Sequence, residues 1–184
     1  MNILHNDLQL RSGKYFNLLS PQPGDFTLTD IAHGLSNICR FVGQSKTFYS
    51  VAEHSVLCAS LVPDELKLTA LLHDASEAFI GDVSAPLKQY LSEYKKIEYN
   101  IMTVIFKKYG CVYPFASPAI KQSDLTMLAA ERAELLTEQD MPWPILEGMT
   151  AADCFPRILC LSPVKAKRMF LYECEKCGLE IDKS

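Results

Sequence analysis

The stretch Leu71-Leu72-His73-Asp74-Ala75-Ser76-Glu77-Ala78-Phe79-Ile80-Gly81-Asp82 sets four titratable side chains into a run that is otherwise almost wholly apolar. Pro63 at a first helical position, with Asp64 and Glu65 complementing the dipole, predicts a helix carrying Leu68, Leu71, Leu72, Ala75 and Phe79 on a wide apolar face until Gly81 stops it. On that helix His73, Asp74 and Glu77 share one side, with Asp82 just past the glycine. A lone His-Asp pair can be a satisfied hydrogen bond in a core. Titratable groups crowded onto a leucine-rich stretch carry a desolvation cost that a bound cation offsets.

Working outward, the remaining signals are also helical. Thr29 or Asp30 can cap a helix running to Cys39, and Ser50-Val51-Ala52-Glu53 has the form of a capping box that starts another at Ser50, with His54 in its first turn. Leu87, Leu91, Tyr94, Ile97, Ile101, Val104 and Ile105 recur at threes and fours up to Gly110, which predicts one long amphipathic helix. Ser117-Pro118 and Ser162-Pro163 open helices near 118–138 and 163–177. Tyr15 to Leu19 can form a short strand, Pro21 to Asp25 is a turn, and the proline-bearing segment 139–161 reads as irregular. No repeat or linker divides the chain, so we expect one all-α domain over residues 1–184, a helical bundle with little or no strand.

Composition agrees with a globular chain. Hydrophobic residues make up 48% and charged residues 22%, and the mean hydropathy is +0.04. A net charge of −4 gives no basic footprint for wrapping duplex nucleic acid, although a local patch can still serve a small anion. No run approaches the roughly eighteen apolar residues of a membrane helix, and Met1 to Ser20 lacks the order of a signal peptide, so we expect a soluble cytoplasmic protein without membrane partners. Seven cysteines, an odd number, read as free thiols. The single Cys174-Glu175-Lys176-Cys177 is a weak zinc or redox signal beside the plainer reading of a frayed helix end.

A divalent ion wants about four protein ligands from different elements. His54 can supply a second imidazole, and Asp124, in the apolar setting Ile120 to Leu125, a second carboxylate; Glu131 and Asp140 compete for that role. With His73 and Asp74, the set of two nitrogens and two oxygens leaves positions open for water and substrate, as a catalytic site requires.

The order His54, His73-Asp74, Asp124 resembles that of the HD-domain metal-dependent phosphohydrolases. Ala52-Glu53-His54-Ser55, the block His73-Asp74-Ala75-Ser76-Glu77 with Gly81-Asp82, and Pro86-Leu87-Lys88 are more particularly similar to bacterial 5′-deoxynucleotidases and to phage dATP triphosphohydrolases. The likeness covers about residues 30–136. It implies one divalent ion (Mn, Co, Zn, Ni or Mg) on His54, His73, Asp74 and Asp124. It implies Glu77 and Asp82 as the catalytic acids and bases, their roles interchangeable. By the same likeness Arg40 and Lys88 meet the substrate phosphate and Phe41 packs on the base, although the Arg40-Phe41 pair stands one residue nearer His54 than usual and its aromatic is often tryptophan. His33 falls outside this set. The resemblance further implies a nucleotide substrate, attack at the α-phosphorus, a homo-oligomer, and a bacterial or phage-infected cytoplasm. An alarmone hydrolase and a non-catalytic helical module stand as alternatives. A di-iron oxygenase would demand more histidines than His5, His33, His54 and His73 provide.

Overall fold

The computed structural model describes residues 6–111, 117–138, 140–148 and 156–182, so His5 and part of the segment 139–161 lie outside the description. The fold is mostly helical, with one small antiparallel sheet. Strands β1 (Asp7–Gln9) and β2 (Tyr15–Asn17) pair with Leu8 opposite Phe16, and the buried Phe16 ring stacks on Phe79 at 4.0 Å. Helix α1 (Leu28–Asn37) is capped by Thr27, with Asp30 closing a reciprocal capping box at N3. The expected cap at Thr29 or Asp30 is thus two to three residues late, and the helix ends before Cys39.

Helix α2 (Val51–Ser60) is buried almost all round and packs against α1, α8 (Pro163–Lys176), α3 (Lys67–Leu71) and α7 (Pro118–Leu135). Ser50 caps it as expected, accepting from the Glu53 amide. The other half of the expected capping box is absent, because the Glu53 carboxylate reaches the backbone N–H groups of Leu159 (2.7 Å), Cys160 (3.0 Å) and Leu161 (2.7 Å) instead. Three amide donors satisfy a buried carboxylate better than one, and they bind the C-terminal part of the chain to the helix that carries His54.

The helix expected from Pro63 to Gly81 is broken. A 3-10 turn (Asp64–Leu66) leads into α3, residues 72–76 form tight turns, and α4 (Glu77–Ile80) ends at Gly81, whose φ of 78° suits glycine. The break has a local cause: His73 Nδ1 lies 2.7 Å from the Ala70 carbonyl, taking the acceptor that a continuing helix would give to the Asp74 amide. His73, Asp74 and Glu77 therefore do not share a regular helical face. The long helix expected from Leu87 is likewise divided into α5 (Ala85–Lys88) and α6 (Ser92–Tyr109), the latter closed by left-handed Gly110. Helix α7 stops at Leu135, three residues early.

Among the described residues two apolar clusters result. The larger joins β2, α1, α2, α3, α4, α6, α8 and Ile120 of α7; the smaller gathers Tyr49, Leu57, Cys58, Met127, Ala130, Leu135 and Ile158 between α2 and α7. Helices α1 and α4 meet at Gly34, where a Cβ would stand 2.7 Å from the Cβ of Ala78 and 2.8 Å from its Cα. Gly34→Ala must push α4 away, and we expect it to lower unfolding stability by about 1–3 kcal/mol, read by urea titration; unchanged stability would show that α4 shifts at no cost.

Candidate metal centre

His54 is fully buried, and its Nδ1 lies 2.6 Å from Glu131 Oε1. Glu131, also buried, accepts from Tyr49 (2.8 Å) on the same oxygen and from Arg40 Nε (3.1 Å) and Nη2 (3.0 Å) on the other. A carboxylate this engaged is held ionised, with His54 and Arg40 outweighing burial to keep it below its ordinary range. It can only accept, so Nδ1 of His54 carries the hydrogen and Nε2 faces away. His73 repeats the arrangement, with Nδ1–H donating to the Ala70 carbonyl. Its Nε2 is buried without a hydrogen-bond partner; Asp74 Oδ2, 3.2 Å away, is not placed to accept.

The two Nε2 atoms face a common group of donors. From His54 Nε2, Asp124 Oδ1 is 3.4 Å away, Asp74 Oδ2 3.7 Å and Cys58 Sγ 3.4 Å. Ligand atoms of His54, Cys58 and His73 lie within 4.8 Å of one another. Two donors each about 2.1 Å from one ion stand about 3.0 Å apart at a right angle and about 3.4 Å apart at the tetrahedral angle. The separations from His54 Nε2 are of the size that donors around a shared cation would have, and of the four expected ligands His54 reaches Asp74 and Asp124 while His73 reaches Asp74. The orientation of both imidazoles by their outer hydrogen bonds is what ligating histidines require.

The charges are balanced around this point. Burial favours neutral Asp74, but His73 and then His54 hold it well below its ordinary range. Asp124 is likewise pulled down against burial by the hydrogen bond and charge of His54. Burial and Arg40 oppose a charged His54, yet Glu131 and Asp124 lift it well above 6.5; Asp74 raises His73 against burial in the same way. An incoming ion must displace these protons. Apparent affinity should therefore fall as pH drops through the raised histidine range. Zinc titration by calorimetry in buffers of different ionisation enthalpy should show protons released even near pH 7.5, where an ordinary histidine is roughly nine-tenths neutral; release vanishing there would contradict the balance.

Glu77 and Asp82 stand beside the cluster. Burial, then Asp74 and Asp82, push the Glu77 carboxyl well above its ordinary range, and its Oε2 is buried without a hydrogen-bond partner. Burial raises Asp82 as well, against the pull of Arg40. Arg40 spends two donors on Glu131 and turns Nη1 toward Asp74 at 3.9 Å. Phe41 and Val42 follow it with φ of 55° and 54°, a left-handed pair costing on the order of 1–3 kcal/mol each in the turn Arg40–Gly43. The Phe41 ring lies 5.5 Å from the Arg40 guanidinium. Lys88 is paired with Glu98 at 2.6 Å, so a phosphate there would compete with a carboxylate already in place. His33 lies apart, against Leu10 and Arg11 in a surface cleft.

A cavity of about 300 Å³ adjoins the cluster at His73 and Asp124, walled by Tyr99, Met102 and Ile120 with Lys95 and Lys121. Among the described residues no helix is long and apolar enough to cross a membrane. Cys58 is not singled out by the sequence, and Glu131 stands there only as a rival to Asp124 for the ion, not as the partner of His54, Arg40 and Tyr49. Both stand at helical spacings from the expected ligands, Glu131 seven residues after Asp124 and Cys58 four after His54.

No family model matches the sequence. The chain is 45% identical over 173 residues to the uncharacterized protein YfdR of Escherichia coli (strain K12), covering 91% of this chain and 96% of that one. It is 32% identical over 140 residues to the uncharacterized protein RCAP_rcc00048 of Rhodobacter capsulatus, covering 69% and 71%. At that identity and coverage, this chain belongs to the family of YfdR.

Proposed function

We propose that this chain is a metal-dependent phosphohydrolase of the HD type that cleaves deoxynucleoside 5′-phosphates at the α-phosphorus and releases the deoxynucleoside. The observation that carries the reading is the pair of imidazoles whose Nδ1 hydrogens are fixed by Glu131 and Ala70, leaving Nε2 of the buried His54 to face Asp74 and Asp124 and Nε2 of His73 to face Asp74. A divalent ion held there would polarise a phosphoryl oxygen and lower the pKa of a bound water. Glu77 and Asp82, both raised above ordinary carboxylates, divide the proton work: one accepts from the attacking water, the other delivers to the departing O5′. Arg40 Nη1 neutralises charge on the phosphoryl group, and Glu131 fixes the guanidinium for that task. Lys88 adds a second cation once it exchanges Glu98 for phosphate. The left-handed turn at Phe41 and Val42, held against its strain, suits a segment shaped for ligand contact. The adjoining cavity offers apolar walls and two lysines to the rest of the nucleotide.

Incubating dATP and dAMP separately with the protein and manganese or cobalt tests the site of cleavage. Deoxyadenosine should appear from the outset, with triphosphate from dATP or with phosphate from dAMP. Accumulation of dAMP or dADP from dATP would place attack farther out, and hydrolysis of alarmones alone would favour that alternative. Inert metal-loaded protein would favour a binding module.

A further inference from the structure

We propose that the Cys58 thiolate is an additional donor to the ion held by His54, His73, Asp74 and Asp124, and that it tunes the centre toward thiophilic divalent ions such as zinc and cobalt. The inference rests on the metal-centre reading above. Cys58 lies one helical turn after His54 on α2, which stacks the two side chains on one face. Its Sγ is 3.4 Å from His54 Nε2 and 3.8 Å from Nδ1, so the thiol lies beside the imidazole and must turn toward Nε2 to share its ion. Otherwise the thiol sits in the apolar cluster of Tyr49, Leu57 and Met127, at the border between that cluster and the carboxylates. The second observation is His73: its side chain is only 9% exposed and its Nε2 has no hydrogen-bond partner, yet it stands within the same 4.8 Å group as Sγ. Imidazole and thiolate together favour zinc or cobalt over magnesium and manganese, which two carboxylates alone would not. Binding displaces the Sγ proton to solvent, and the thiolate charge is compensated by the ion.

Cobalt(II) is both metal and reporter. The full chain loaded with one equivalent should show visible d–d bands together with a near-ultraviolet sulfur-to-cobalt charge-transfer band. Cys58→Ser and Cys58→Ala, each checked for folding by circular dichroism, should bind one cobalt and keep the d–d bands while losing the charge-transfer band. Zinc should outcompete manganese less strongly in both variants than in the native chain. Bound cobalt without the charge-transfer band in the native chain, or a band that persists in both variants, would overturn the role of Cys58 and leave the four-residue centre standing. Failure of the native chain to bind cobalt would remove the centre itself.

Discussion

Asp124→Ala should bind neither ion nor turnover-competent substrate while remaining folded. Asp124 Oδ1 lies 3.4 Å from the Nε2 of His54, and its other oxygen meets Lys121 at 3.0 Å. The side chain is 25% exposed, so its loss leaves no large cavity and Lys121 returns to solvent. Removing an outer partner of a metal site weakens binding by roughly 10–100-fold, and removing a direct ligand should exceed that. Dialysis against cobalt with metal analysis, beside circular dichroism, would read both parts. Normal metal content in Asp124→Ala would transfer the ligand role elsewhere, with Glu131 excluded as substitute because His54, Arg40 and Tyr49 already occupy its oxygens.

Glu77→Gln should keep the ion and lose about 10²- to 10⁴-fold in kcat, the contribution of a positioned acid or base. The carboxyl is buried against Asp74 and Asp82, which raises its folded pKa. For such a group the charged form is disfavoured by folding, so its penalty is absent below the unfolded value near 4.5 and grows as pH rises toward the raised one. The amide removes that penalty, and the variant should be at least as stable as the native chain at neutral pH while nearly inactive. Loss of metal with activity would make Glu77 a ligand, and near-normal turnover would remove it from the mechanism.

The residues that stood out in the sequence did so because they were costly where they stood. His73 and Asp74 interrupt a leucine-rich run, and both lie in the cluster at which the two imidazoles converge. His54 was legible because Ser50 fixes the start of α2. What was not legible depended on distant partners. Glu53 has the local form of a capping box, and only the approach of residues 159–161 diverts it. The break at residues 72–76 follows from a side chain capturing a backbone carbonyl, which helical periodicity does not register. Glu131 read as one of two rival carboxylates, since nothing in the order of residues says that Arg40, Tyr49 and His54 converge on it. Lys88 carried a phosphate role by resemblance, and its pairing with Glu98 across two helices was beyond reach of spacing.

The most direct test of the centre is anomalous scattering from crystals of the full chain grown or soaked with cobalt. The account predicts one peak about 2.0–2.3 Å from the Nε2 atoms of His54 and His73 and from carboxylate oxygens of Asp74 and Asp124. Absence of density there at saturating cobalt, or a peak only elsewhere, such as at Cys174 and Cys177, would contradict it.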